Sequence, residues 1–157
     1  ENLLEEPESS VQTSEFSAGL RRFRPDIKEQ LSKEDTETHF DLGIAYKEMG
    51  LFDDAIEEFK ICMNNASREC NASTMIGICY KEKGQLTEAI KNFKRGLHAE
   101  QKTKEEELGL FYELGLAYEA LGDTGEALYY FNEVAKRNSS FRHAQQKIND
   151  LKEKSLL

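Results

Sequence analysis

"HFDLGIAYKEMGLFDDAIEEF", His39–Phe59, carries the landmarks Leu42-Gly43, Tyr46, Gly50, Ala55 and Phe59, and all of them return twice. The second set is Ile76-Gly77, Tyr80, Gly84, Ala89 and Phe93; the third is Leu114-Gly115, Tyr118, Gly122, Ala127 and Phe131. Gly43 to Gly77 is 34 residues and Gly77 to Gly115 is 38, the same period with about one helical turn added. Landmarks at a fixed period of this length mark a repeat architecture. One unit cannot bury its apolar face alone, so neighbouring units must stack.

Each unit reads as two helices. Small residues such as Gly43, Ala45 and Ala55 let two antiparallel helices approach, while Tyr46 and Phe59 fill the space between them. Gly50, Gly84 and Gly122 end the first helix of each pair, because glycine tolerates the left-handed conformation of a C-terminal cap. The spacing predicts first helices over 36–49, 70–83 and 104–121, and second helices over 53–65, 87–101 and 124–137. The extra residues of the third unit lengthen its first helix at the start. There Thr103 and Glu106 stand at capping-box spacing. No proline lies beyond Pro25, which favours helix throughout.

These residues resemble the tetratricopeptide repeat (TPR) family. The likeness covers residues 36–140, with repeats near 36–69, 70–103 and 108–141. The family's early Trp is replaced by His39, Ser73 and Phe111, and its closing Pro by Ser67, Gln101 and Ser139. The resemblance implies an all-α solenoid, a right-handed superhelix of antiparallel helix pairs, that works as a non-enzymatic protein-interaction module or adaptor.

Composition narrows the function classes. The chain has 157 residues, is 38% hydrophobic and 32% charged, and carries a net charge of −9. That charge disfavours nucleic acid and anionic membrane, which need a basic face. No apolar run approaches the roughly 18 residues of a membrane span. The chain opens on Glu1 and not Met, so it reads as a fragment, and a cytoplasmic location is expected. Three cysteines give no disulfide framework. Cys62 and Cys79 fall where other repeats have small residues and read as buried packing groups; Cys70 opens the second repeat and has no such counterpart. His39, His98 and His143 fall in unrelated places and form no metal or catalytic constellation, and no cofactor is expected. The strings Asn65-Ala66-Ser67, Asn71-Ala72-Ser73 and Asn138-Ser139-Ser140 read as turn and capping residues and not as glycosylation sites.

In the family, the concave face is lined by the first helix of each pair. By register, the resemblance places Glu37, Phe40, Ile44 and Lys47 there from the first repeat, Thr74, Ile78 and Lys81 from the second, and Tyr112, Leu116 and Glu119 from the third. Asp41, Glu48, Asn71, Met75, Glu82, Gly109, Glu113 and Ala120 fall on the same face. One subclass holds acidic chaperone tails in a clamp of Lys, Asn and Arg; the corresponding positions here are Phe40, Ile44, Met75, Gly109 and Glu113. A free-carboxylate ligand is thereby disfavoured. An apolar stripe among six acids and two lysines instead suits a peptide or amphipathic helix with a basic flank.

The termini differ in character. Residues 1–15 read as a disordered acidic tail. In residues 16–35, Phe16, Leu20, Phe23, Ile27 and Leu31 share one helical face, with Arg21, Arg22, Arg24 and Lys28 off it and Pro25 kinking or restarting the helix. This segment is read either as a cap on the first repeat or as an internal ligand. It would occupy its own groove, or a neighbour's with a homodimer as the result. Residues 141–154 are read as a capping helix, with Phe141, Ala144, Ile148 and Leu151 on one face.

Overall fold

The structure, a computed structural model, describes residues 35–157; the readings made for 1–15 and, Asp35 apart, for 16–35 lie outside the described residues. The helices are α1 (Thr36–Glu48), α2 (Phe52–Cys62), α3 (Glu69–Glu82), α4 (Leu86–His98), α5 (Lys104–Leu121) and α6 (Thr124–Arg137). A single 3-10 turn (Phe141–His143) then leads into α7 (Ala144–Ser155). Each helix packs on the next, and α3 also meets α5, so three helix hairpins stack into an α-solenoid closed by α7.

The repeated landmarks do one job three times. Phe59, Phe93 and Phe131 are fully buried, and each ring lies against the glycine of its own repeat. A Cβ added at Gly77 would stand 2.4 Å from Phe93, and one at Gly43 or Gly115 would stand 2.7 or 2.6 Å from its ring. No side chain larger than hydrogen fits there without moving a ring packed at crystal-like density. Between repeats the contacts are apolar. Ala72, Ile76 and Cys79 of α3 share a core cluster with Ile56, Phe59 and Cys62 of α2.

Helix ends follow local chemistry. Gly122 adopts φ 81 after α5, and Gly50 and Gly84 take the same left-handed form. Thr103 and Glu106 form the reciprocal capping box, with Glu106 N–H donating to Thr103 Oγ1 at 3.1 Å and Thr103 N–H to Glu106 Oε2 at 2.7 Å. Asp35 and Asp123 cap α1 and α6 through Thr38 N–H and Glu126 N–H. The Asp35 carboxyl is held below its ordinary pKa by the Thr38 hydrogen bonds.

Four sequence expectations need correction. The helix expected over 53–65 ends at Cys62, because Asn65 Oδ1 accepts from Ser67 N–H (3.0 Å) and Oγ (2.7 Å) in a tight turn. The helix expected over 87–101 ends at His98, where Ala99 turns extended and inserts into the core. Asn71-Ala72-Ser73 is not a turn; it lies inside α3 with Ala72 and Ser73 buried. The last helix does not begin at Phe141. Arg142 (φ 42) and His143 (φ 58) break the chain, so only Ala144, Ile148 and Leu151 form the buried face of α7.

All three cysteines are free and buried, and Cys70 joins the core beside Leu110. Burial pushes each thiol up to about 11 from an ordinary value of 9.0. A raised folded-state pKa stabilises fully below the unfolded value and is lost as pH rises through the folded one, here between 9.0 and about 11. In the native protein at pH 8 the thiols are therefore expected to react far more slowly with a disulfide reagent than after denaturation. Fast native reaction of all three contradicts this packing.

Candidate functional site

The first helices α1, α3 and α5 expose a strip that the second helices do not cover. Hairpin packing consumes the landmark face of each first helix and leaves the adjoining face half-buried. The residues assigned to the family's groove lie there, and the structure gives each a neighbour. Phe40 meets Phe59 edge-on at 5.3 Å between ring centroids, and the Arg68 guanidinium lies 4.8 Å above it. Ile44 packs on the first core cluster and Ile78 on the next. Tyr112 meets Phe131 edge-on at 5.6 Å and Phe141 at 6.1 Å, while Leu116 packs toward Phe131 and α7. Thr74 donates its hydroxyl to the Cys70 carbonyl at 2.8 Å.

The charges are more balanced than the sequence suggests. Lys81 of α3 reaches Glu113 of α5 at 2.7 Å, and Lys147 of α7 reaches Glu119 at 3.0 Å. Arg68 holds Glu37 through two hydrogen bonds, which push the guanidinium pKa up. Lys47 lies 3.6 Å from Glu48. Of the six acids on this face, only Asp41 and Glu82 have no ion pair among the described residues. Sequence register missed Arg68, Arg142 and Lys147, because they reach the strip from outside the first helices. Pairs like these, partly open to water, add about 0–1 kcal/mol each, but they set where a ligand's charges can sit.

Between α3 and α5 the strip deepens into a cavity of about 270 Å³. Thr74 and Ile78 form one wall, Glu105, Gly109 and Glu113 another, and Arg142 closes an edge. A second cavity, about 330 Å³, lies where Lys104, Glu107 and Leu108 face Arg137 and Asn138, outside the first-helix register. Its walls are tied by Arg137 to Glu107 at 3.1 Å.

The histidines do not converge. His98 Nδ1 lies 2.7 Å from the Lys94 carbonyl, and His143 sits in the turn before α7. His39 is buried, and its Nδ1 lies 2.7 Å from Glu58 Oε2, itself fully buried. Nothing in the single sequence marked Glu58 as interior, since its neighbour Glu57 looks the same. No group of three or more His, Cys, Asp or Glu side chains able to hold a metal occurs among the described residues. Nor is any described helix long and apolar enough to cross a membrane.

Comparison with known proteins agrees with this geometry. Tetratricopeptide repeat family models match residues 71–103 and 110–140. A comparison with curated proteins yields no match. Among solved structures, MamA is similar with a TM-score of 0.71 at 21% identity, over 98% of this chain and 86% of its own. The first TPR of Spaghetti (RPAP3), bound to the HSP90 peptide SRMEEVD, has a TM-score of 0.69 at 14% identity, over 81% of this chain and 98% of its own. PcrH in complex with the chaperone-binding region of PopD gives 0.67 at 17% identity, over 80% and 96%. The repeated landmarks, the stacked hairpins and the matched repeats agree: residues 71–103 and 110–140 match tetratricopeptide repeats, and the described residues fold as a solenoid of the tetratricopeptide-repeat type.

Proposed function

We propose that the strip formed by α1, α3 and α5 is a groove that binds a polypeptide partner, and that the chain is a non-enzymatic interaction module or adaptor. The observation that carries this reading is the strip itself: Phe40, Ile44, Ile78, Tyr112 and Leu116 are half-buried along it. Beside this row four acids are paired, and Asp41 and Glu82 have no ion pair among the described residues and are left to meet a basic flank. An amphipathic helix or extended segment with an apolar face and a basic flank fits such a surface. The Spaghetti and PcrH structures hold polypeptide ligands, which adds support. The ligand chemistry differs from an acidic tail, since Phe40, Ile44, Met75, Gly109 and Glu113 stand where a carboxylate clamp would need Lys, Asn and Arg. A cytoplasmic setting suits three unpaired, buried thiols.

Chemical-shift mapping tests the location. A peptide spanning Ser14–Lys33, titrated into the labelled chain, is expected to shift Thr74, Ile78, Lys81 and Tyr112. Shifts confined to Leu42, Ala45 and Met49 would contradict the groove.

One observation favours a second reading, in which the N-terminal segment is part of the assembly. Ala45 is exposed, whereas its counterparts Cys79 and Ala117 are fully buried under a preceding repeat. Among the described residues, nothing covers that edge of the first repeat. Residues 16–33 have the apolar stripe to cover it, or to enter a groove in their own or a second copy. Light scattering separates these. A dimer that becomes a monomer on Phe23→Glu supports exchange, and a monomer in both cases leaves the segment a local cap.

A further inference from the structure

Gly109 stands in the interior of α5, where glycine is less favourable than alanine, and packing gives no reason for it. At Gly43, Gly77, Gly96 and Gly115 an added Cβ would meet another side chain within about 3.1 Å, but at Gly109 it would meet nothing within 4 Å. This bare stretch of helix is part of the wall of the 270 Å³ cavity between α3 and α5. Across from it, Ile78 and Thr74 supply an apolar wall. The volume is below the ~300–1,000 Å³ typical of pockets for whole small molecules, and suits one or two side chains.

The rim is charged in a particular way. Glu113 is held by Lys81, and Glu106 is engaged in the capping box. Glu105 has no ion pair among the described residues. Arg142 has none either; its guanidinium lies 5.0 Å from the Phe141 ring centroid and 5.6 Å from that of Tyr112. Its backbone is left-handed, at φ 42 and ψ 37, as is that of His143 after it. Two successive non-glycine residues in that region are strained, and such strain gathers at ligand sites.

Building on the groove reading, we propose that this cavity is the anchor subsite. It takes one aliphatic side chain of a partner polypeptide whose backbone passes close over Gly109. An acidic neighbour of that side chain faces Arg142 and a basic neighbour faces Glu105. Glycine at 109 is what permits the close approach. The triplet Asp26-Ile27-Lys28 has this chemistry, so the peptide Ser14–Lys33 is a suitable probe.

The experiment measures anisotropy of that peptide, fluorescein-labelled, with the full chain and with Gly109→Leu, each protein's melting temperature being recorded. Leucine is the better helix former and enters open space, so the variant is expected to melt at or above the parent temperature. It is expected to bind roughly tenfold more weakly or worse. An Ile27→Ala peptide is expected to lose a similar factor on the parent and little further on Gly109→Leu, the mark of a direct contact. If Gly109→Leu binds as the parent does while Ile44→Glu binds weakly, the groove stands and the anchor subsite is overturned. If the peptide in large excess binds neither the parent chain nor its Phe23→Glu variant, whose own segment no longer competes, both fall.

Discussion

Phe93→Ala is expected to lower unfolding free energy by about 3–5 kcal/mol, the range for removing a buried aromatic ring. Phe93 is fully buried, and its ring fills the space left by Gly77, whose added Cβ would stand 2.4 Å away. The site has little room to collapse, since that glycine sits on a helix anchored on both sides. Its repeat is also the middle one, so α3 packs on α2 and α4 packs on α5. In a stacked array each interface contributes to its neighbours, and loosening the central hairpin weakens both outer ones. Gly77→Ala attacks the same contact from the other side and is expected to cost about 1–3 kcal/mol by overpacking. Urea denaturation followed by circular dichroism measures both. A loss under about 1 kcal/mol for Phe93→Ala would show that this ring does not hold the hairpin together.

The second large effect concerns His39 and Glu58. Their side chains are 4% and 0% exposed and meet at 2.7 Å between α1 and α2. Glu58 Oε1 has no hydrogen-bond partner among the described residues. Removing one member of a buried polar pair leaves the other without compensation, so His39→Ala is expected to cost about 3–5 kcal/mol. The third repeat shows an alternative. Phe111 and Tyr130 occupy the same repeat positions, with ring centroids 6.2 Å apart. Two aromatic residues can therefore serve where an acid and a histidine do here. The double change His39→Phe with Glu58→Tyr is expected to be near neutral or stabilising, because it abolishes the desolvated pair and keeps the volume filled. A double variant as unstable as His39→Ala would mean that the first hairpin requires the polar pair itself.

The sequence was most readable where one residue type has one physical job. Gly122 had to end a helix, Thr103 and Glu106 had to cap one, and Phe59, Phe93 and Phe131 had to meet Gly43, Gly77 and Gly115. Helix ends that depend on competition were less readable. Asn65 could have continued α2, but its side chain found Ser67 instead. Ala99 is a good helix former, yet it is worth more buried in the core than in another turn of α4. The break at Arg142 and His143 was illegible, since Arg seldom takes positive φ and His, though enriched there among non-glycine residues, lies mostly at negative φ.

The candidate site was half legible. Register placed the first-helix residues along the strip, but charge could only be counted and not paired. Six acids therefore read as an acidic groove until Arg68, Lys81 and Lys147 were seen to answer three of them. Gly109 was visible as the occupant of a clamp position, but its open surroundings are a tertiary fact.

Whether the strip is a polypeptide-binding groove is decided by the affinity of labelled Ser14–Lys33 peptide for the full chain at low and high salt, repeated with Ile78→Glu. Saturable binding that salt weakens, and that is lost in an Ile78→Glu variant still melting cooperatively, is the predicted result. Binding that is indifferent to Ile78→Glu would place the peptide elsewhere on the molecule and contradict a groove along α1, α3 and α5.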